Sequence, residues 1–236
     1  MDFFISTKNR TDKEELMDDF SIGGALLRDT LDKLENINRW LGGNIVTVNS
    51  VKKILKEHPK EHPLTLVDIG CGHGDILRDI ATFGRKNGYK MTLLGIDANP
   101  TAIEYASELS EAYPEIRFET EDIFSKEFKN RKFDVVVATL FLHHFKEAQL
   151  VPFIENTLKQ TKIGIVVNDL HRHKLAYYLF LFLSLFIKNK MIIEDGLTSV
   201  LRGFKRKDLV QISQKLAVKP QVCWKWAFRF QWILKR

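Results

Sequence analysis

One glycine-rich segment at residues 66–80, LVDIGCGHGDILRDI, constrains the fold of this chain more than any other feature. An apolar, β-branched run ends in Asp68, and Gly70, Gly72 and Gly74 follow at alternate positions before a helical pattern begins. Glycine is needed where the backbone takes positive φ or where a ligand approaches too closely for a Cβ. Open α/β sheets bind ligands beyond the carboxyl ends of their strands, where Asp68 is expected to lie. The segment therefore predicts a strand, loop and helix that bind a nucleotide cofactor.

The spacing acid-x-Gly-x-Gly-x-Gly resembles motif I of class I S-adenosylmethionine (SAM) dependent methyltransferases. This resemblance implies cofactor contacts from Asp68, Gly70, Cys71 and Gly72. The main alternative is a dinucleotide-binding Gly-x-Gly-x-x-Gly loop, but its third glycine would fall at Asp75. A carboxylate at a helix N-terminus would repel a pyrophosphate there. A turn that binds nothing is a further alternative, because short motifs also match by chance.

Two more buried-strand patterns end in acids. Residues 91–100 lead to Asp97, followed by Asn99-Pro100 as a helix cap and first-turn proline. An acid after the second strand accepts ribose hydroxyls in SAM and NAD sites alike. Residues 115–123 form a third strand followed by Asp122, where the resemblance implies an acceptor for the adenine amino group. We expect the adjacent Ala98 and Ile123 to contact the cofactor as well.

A fourth strand at residues 132–139 contains Phe133-Asp134 followed by valines and leads into LFLHHF at residues 140–145. Small-molecule members of the methyltransferase family, including ubiquinone and menaquinone methyltransferases, often carry Leu-His-His at this point. The resemblance covers about residues 64–170 and implies SAM as methyl donor, S-adenosylhomocysteine as product, and a cofactor contact from Thr139. A narrower resemblance to bacterial quinone and polyketide methyltransferases involves residues 17–19 and 195–202.

The order of elements predicts an α/β fold. The alternation of strands and helices favours a doubly wound, mostly parallel sheet. The resemblance implies that this sheet is Rossmann-like and seven-stranded, with an antiparallel C-terminal strand and an N-terminal helical cap. Helices are expected near residues 75–86, 101–111 and 147–160, and a fifth strand at 163–169. The aromatic alternation near the C-terminus predicts a hairpin with its turn near Ala227. We assign residues 1–60 to the cap, with helices at 23–41 and 45–56. Residues 61–236 form the methyltransferase domain, with a substrate-pocket insertion at about 170–205.

Two helices are expected after the fifth strand, at residues 175–187 and 205–217. The first is apolar all round, which predicts burial between layers. Its Leu, Phe and Tyr content also favours a lipophilic acceptor near the pocket. The flanking Lys174, Lys188 and Lys190 leave open a peripheral contact with membranes. Its apolar run of 13 residues is shorter than the roughly 20 that span a bilayer.

Four histidines, at positions 143, 144, 171 and 173, follow the carboxyl ends of the fourth and fifth strands. Histidine is the usual proton acceptor near neutral pH. We expect His144 or His171 to act as the base when a phenol or enol oxygen is methylated, with C-methylation as the alternative. Capping or structural roles are the alternative for each histidine. His-x-His can also bind zinc, but no cysteine cluster accompanies it and no metal is predicted. Arg39 is expected either to reach the SAM carboxylate or to be solvated.

Composition sets broad limits. The 236 residues, 44% of them hydrophobic, suit one globular domain, and the net charge of +6 permits anionic partners without requiring them. Only two cysteines, Cys71 and Cys223, indicate a reducing compartment, so a cytoplasmic location is expected. The short apolar run at residues 3–5 lacks a basic leader and does not predict a secretory signal. The oligomeric state is not indicated.

Two other function classes are open. The first is a nucleic-acid or protein methyltransferase, because Trp224, Trp226 and Trp232 lie beside Lys225 and Arg229. The loop at residues 139–142, however, lacks the polar acceptors that amine methyltransferases usually carry, so no nucleic acid is expected as a partner. The second is a SAM-binding regulatory protein without catalysis, whose cofactor loop would look the same.

Overall fold

The computed structural model describes residues 5–219 and 221–236, so most of the short apolar run at residues 3–5 lies outside the described residues. The strands are β1 (Leu64–Ile69), β2 (Met91–Asp97), β3 (Ile116–Thr120), β4 (Phe133–Thr139), β5 (Thr161–Leu170), β6 (Gln221–Lys225) and β7 (Arg229–Lys235). The helices are α1 (Gly24–Trp40), α2 (Gly43–Ile54), α3 (Asp75–Asn87), α4 (Pro100–Leu109), α5 (Lys126–Asn130), α6 (Glu147–Gln160), α7 (Lys174–Ser184), α8 (Lys190–Arg202) and α9 (Arg206–Lys215). Short 3₁₀ turns occur at Leu16–Asp18 and Leu142–His144.

All seven strands form one sheet in the order β3-β2-β1-β4-β5-β7-β6. Strands β1 to β5 are parallel, β7 runs antiparallel to β5, and β6 pairs antiparallel with β7. The order reverses beside β1, so the carboxyl ends of β1 and β4 border the crevice where such sheets bind ligands. The predicted seven-stranded, doubly wound fold with an antiparallel C-terminal strand is confirmed. The hairpin turn at residues 226–228 also lies where the sequence placed it.

The sheet is buried on both faces because apolar residues of β1 and β4 alternate between two cores. Val67 and Val136 belong to the core on the side of α6 and α9, whereas Leu66 and Val135 belong to the opposite core, which includes α2 and α3 side chains. Helix α2 packs against β5 and β7. It therefore lies on the sheet, while α1 lies further out beside α4 and α8.

The cap predicted for α4 is present. Asn99 accepts hydrogen bonds from the backbone N–H groups of Thr101 and Ala102, and Pro100 occupies the first turn. These contacts fix the chain directly after Asp97.

Helix α8 is an element that the sequence patterns did not reveal. Its β-branched residues and the interior Gly196 have low helix propensity, so the segment reads poorly as a helix. Two contacts stabilise it: Asn189 caps it locally by accepting from Ile192 N at 3.2 Å, and Gly196 faces the Phe180 ring of α7. A Cβ at position 196 would lie 2.2 Å from Phe180 Cζ, which is why a glycine stands there.

The predicted burial of the apolar helix at residues 175–187 is wrong. Helix α7 packs on the outer side of α8, and only Ala176 and Ser184 among its residues are buried. Phe182 and Phe186 are 62% and 73% exposed. The apolar composition of this helix does not show whether another element covers its outward side. Among the described residues, no helix combines the length and apolar character needed to cross a bilayer.

Candidate active site

The glycine loop joins β1 to α3 in backbone conformations that only glycine adopts easily. Gly70, Gly72 and Gly74 have φ of 70°, 52° and 79°. Gly70 N and Cys71 N both donate to Ile96 O of β2, at 2.8 and 3.0 Å. A Cβ on Gly70 would lie 2.3 Å from the Phe141 ring, so this position also allows a close approach from the β4 side.

Asp68, at the end of β1, has a carboxylate oxygen with no partner among the described residues. The side chain is 2% exposed, and its Oδ1 accepts no hydrogen bond there. Burial, and then repulsion from Asp75 and Asp97, raises the pKa of Asp68 well above its ordinary value. A buried acceptor without a donor is costly. Asp68 is therefore suited to receive a hydrogen bond from a ligand in the adjoining cavity.

Asp97, at the end of β2, ties the glycine loop to the second strand. Its Oδ2 accepts from Gly72 N at 3.0 Å and its Oδ1 from Asn99 N at 2.9 Å. Burial raises the pKa of Asp97, while these backbone donors lower it in part. After β3, Asp122 Oδ1 accepts from Phe124 N at 2.8 Å and shapes the turn on that side.

These groups line one cavity of about 550 Å³. The cavity contacts all the sequence-predicted cofactor residues except Arg39, namely Asp68, Gly70, Cys71, Gly72, Asp97, Ala98, Asp122, Ile123 and Thr139. Its walls also include apolar side chains from several elements, among them Met17, Phe20, Leu27, Leu31, Phe141 and Phe145. Acids, glycines and an apolar wall thus meet in one space.

Arg39 and His171 lie elsewhere. Arg39 donates to Glu35 and Asp79 at 2.6 and 3.0 Å and is not part of the cavity wall. His171 packs against Phe230 with ring centroids 4.8 Å apart, also outside the wall. Burial, and then the nearby His173, lowers the pKa of His171 to about 4. The structure therefore offers neither side chain to a ligand in this cavity.

His143 and His144 both line the cavity, and carboxylates hold both rings. His143 Nδ1 lies 2.7 Å from Asp169 Oδ1, and His143 N donates to Asp169 Oδ2 at 3.1 Å. His144 Nδ1 lies 2.6 Å from Asp18 Oδ1. The sequence favoured His144, not the neighbouring His143, as the general base. Their separate carboxylate partners lie far away in sequence, and no local pattern shows them.

The protonation of these partners follows from their surroundings. Burial would raise the pKa of Asp169, but the charge and hydrogen bond of His143 bring it below its ordinary value. Burial likewise opposes ionisation of Asp18, yet His144 and Arg202 hold its pKa low. Both acids are therefore carboxylates near neutral pH. His143 carries a proton on Nδ1 towards the ionised Asp169, so in the neutral tautomer the lone pair lies on Nε2 and can accept a proton.

Glu15 is the acidic neighbour of His143 in the cavity wall. Its Oε1 lies 3.6 Å from His143 Nε2 and has no hydrogen-bond partner in the described chain, whereas Ser199 Oγ donates to its Oε2 at 2.7 Å. Burial raises the pKa of Glu15 to about 7. Glu15 can therefore exchange a proton near neutral pH, next to the free nitrogen of His143.

Glu15, His143 and His144 also have the composition of a transition-metal site. One ligand atom from each lies within 4.8 Å of the others. Two imidazoles and a carboxylate suit several divalent ions. The expectation that no metal takes part therefore stays a prediction.

Helix α8 fixes the N-terminal segment over this part of the cavity. Leu16 N and Met17 N donate to the Asp195 carboxylate at 2.7 and 3.0 Å. Arg202 Nη1 donates to Asp18 at 2.6 Å, and its other nitrogens donate to the carbonyl oxygens of His143 and His144. The unassigned motif residues at 17–19 and 195–202 thus meet in space.

Comparisons with known proteins agree with this geometry. Residues 66–164 match the family described as a methyltransferase domain. No curated protein matches the sequence significantly. The plantazolicin methyltransferase BpumL in complex with SAH is 16% identical, with a TM-score of 0.67 over 90% of this chain and 94% of that chain.

Two other solved structures have the same fold. An O-methyltransferase family protein from Burkholderia thailandensis is 15% identical, with a TM-score of 0.65 over 96% of this chain and 65% of that one. A SAM dependent methyltransferase from Aquifex aeolicus is 15% identical, with a TM-score of 0.61 over 88% and 97%.

The chain has the Rossmann-like fold of these methyltransferases, and residues 66–164 match a methyltransferase domain. The positive-φ glycine loop and the unpartnered Asp68 oxygen fit a ligand that joins an amino acid to adenosine.

Proposed function

We propose that this protein is a SAM-dependent methyltransferase that methylates a small lipophilic acceptor at a phenol or enol oxygen, with His143 as the general base. The observation that carries the proposal is that His143, whose ring is paired with Asp169, lines the same cavity as the glycine loop. C-methylation of an acidified carbon would use the same base and is the alternative at this site.

Asp68, Asp97 and Asp122 are the groups we assign to holding SAM, together with the backbone of the glycine loop. When bound, SAM supplies an electrophilic methyl group on a sulfonium. The role of the chain itself is to position the acceptor and to remove its proton. Position and alignment supply most of the rate in such a bimolecular transfer.

His143 Nε2 would take the proton from the acceptor hydroxyl, while SAM held by the glycine loop would supply the methyl group to that oxygen and leave as S-adenosylhomocysteine. Asp169 holds the Nδ1 proton and stabilises the imidazolium that forms, so the ring keeps one orientation throughout. Glu15 Oε1, 3.6 Å from His143 Nε2, is the group we assign to receive the proton afterwards, once the two atoms come within hydrogen-bonding distance. The cavity wall around these groups is largely apolar, which supports a hydrophobic acceptor.

The test compares His143→Gln with His144→Gln. Labelled methyl transfer from SAM is measured for phenols with and without an alkyl tail, and mass spectrometry locates the methyl group. We expect His143→Gln to lower kcat by a factor of about 10² to 10⁴. Affinity for S-adenosylhomocysteine, measured by calorimetry, should stay unchanged in both variants.

Three outcomes would count against the proposal. A loss confined to His144→Gln would move the base to His144, the residue that the sequence favoured. No transfer to any hydroxyl, with S-adenosylhomocysteine still bound, would favour a regulatory SAM-binding protein. Salt-sensitive binding of RNA with transfer to it would favour a nucleic-acid methyltransferase.

Peripheral membrane contact completes the proposal. A lipophilic acceptor partitions into bilayers, and an enzyme at the bilayer surface would meet it at a higher local concentration.

A further inference from the structure

Helix α7 and the turn after it present an exposed apolar surface that we call the outer face, formed by Leu175, Tyr178, Leu179 and Phe182 of the helix and by Phe186 of the turn. The spacing of the four helical residues places them on one side of α7. The exposed fractions run from 38% for Tyr178 to 73% for Phe186. The Phe182 and Phe186 rings contact each other edge to face with centroids 5.7 Å apart. Soluble proteins rarely expose contiguous apolar patches of this kind without a partner.

The hairpin turn extends the outer face. His173 caps α7 by accepting from Leu175 N at 3.1 Å, and its ring stacks on Phe228 with centroids 5.4 Å apart. Trp226 lies next to Phe228, with centroids 6.3 Å apart, and is 62% exposed. Tryptophan is a side chain that prefers the membrane interface. An aromatic tip thus continues the apolar helix.

The charged side chains of α7, of the segment that follows it and of the hairpin are all positive, whereas Glu194 of α8 pairs with Lys190. Residues 174–193 contain no Asp or Glu, and none occurs after Asp208. Lys174 and Lys188 flank the outer face and are exposed, and Lys225 adjoins Trp226. An apolar face with a cationic border is the pattern of helices that lie in the interface of anionic membranes. A second copy of the chain would bring a border of the same charge instead.

We propose that the outer face and Trp226 dock onto an anionic lipid bilayer. Helix α7 has 11 residues and is about 17 Å long, shorter than the roughly 30 Å hydrocarbon core, so it lies in the interface. Its inner side packs on α8, whose Asp195, Gly196 and Ser199 line the cavity. Docking therefore brings the acceptor cavity to within one helix of the bilayer. The idea that the acceptor reaches the cavity from the bilayer rests on the proposed function.

The experiment is flotation of the full chain with vesicles of phosphatidylcholine and phosphatidylserine, and with vesicles of phosphatidylcholine alone. We expect the protein to float with the anionic vesicles and to be released by high salt. The double variant Phe182→Ser/Phe186→Ser should bind at least about tenfold more weakly. Lys188→Glu should weaken binding about tenfold on anionic vesicles only.

Matched controls lie on other helices. Leu109→Ser, on the exposed end of α4, and Lys86→Glu, on α3, should float like the original chain. Circular dichroism checks that every variant is folded. Because the substituted side chains are exposed, loss of folding is not expected.

Two results would overturn the inference. One is a folded chain that does not float with anionic vesicles. The other is a dimer in light scattering that Phe182→Ser/Phe186→Ser converts to monomer without vesicle binding, which would make the outer face a subunit interface. Methyl transfer to a water-soluble phenol is measured separately. If it persists while flotation fails, only the docking inference is lost. If flotation persists while transfer fails, only the proposed function is lost.

Discussion

The glycine loop lines the same cavity as a second group of residues, which we call the histidine cluster: Glu15, Asp18, His143 and His144. The contacts that form the two groups span very different distances along the chain. The loop takes its turns from residues 70–74 and needs one further strand, through Asp97 and Ile96 O. The histidine cluster joins the N-terminal segment, the loop after β4, the end of β5 and α8, and Leu16 lies 179 residues from its partner Asp195. The glycine loop is a local motif, whereas the histidine cluster is a tertiary network. Substitutions in the histidine cluster should therefore leave the binding of SAM unchanged.

Arg202→Met should show the largest difference between its effect on stability and its effect on cofactor affinity. The 7% exposed guanidinium holds Asp18 and two carbonyl oxygens, and its removal leaves a partly buried carboxylate with one partner fewer. We expect the free energy of unfolding in denaturant to fall by about 3 kcal/mol. Affinity for S-adenosylhomocysteine should change less than about threefold. A parallel loss of affinity would show that the glycine loop and the histidine cluster are coupled.

Arg28→Met is the matched control for that prediction. Arg28 pairs with Glu108 at 2.6 Å on the surface, where such pairs contribute less than about 1 kcal/mol.

In contrast to Arg202→Met, Gly70→Ala should mainly weaken the binding of the cofactor. A side chain at φ of 70° is strained, and its Cβ would collide with Phe141. A combined cost of about 3 kcal/mol in the bound conformation corresponds to affinity for S-adenosylhomocysteine about 100-fold weaker in calorimetry. Gly88→Ala has a similar φ of 75° but open space around it. It should cost about 1 kcal/mol of stability and leave affinity unchanged.

Glu15→Gln tests the electrostatics of the network. Because folding raises the pKa of Glu15 from 4.5 to about 7, the folded chain resists ionisation there. The original chain should therefore lose stability relative to the variant as pH rises from about 4.5 to 7, and the two should be equal below that window. The shift implies a difference of up to about 3 kcal/mol above pH 7. Parallel pH profiles of unfolding would contradict the assignment.

Arg39→Gln should have the smallest effect. The side chain is 41% exposed and pairs with Glu35 and Asp79 away from the cavity. We expect less than about 0.5 kcal/mol of stability and no change in calorimetric affinity for SAM. A tenfold loss of affinity would restore the carboxylate-binding role that the sequence suggested for Arg39.

The same contrast explains what the sequence could predict. The first five strands, the hairpin, the α4 cap and the positions of Asp68, Asp97 and Asp122 follow from local patterns that repeat along the chain. The pairing of His143 with Asp169 joins residues 26 apart, and that of Arg202 with Asp18 joins residues 184 apart. No periodicity records such contacts. The exposure of α7 also depends on how it packs against α8, an element that the sequence patterns did not reveal.

Gly196 has a consequence that reaches across the molecule. Its missing side chain lets the Phe180 ring rest directly on the α8 backbone, one residue from Asp195, whose carboxylate holds the segment over the histidines. At this point one aromatic ring separates the exterior of α7 from the helix that lines the cavity.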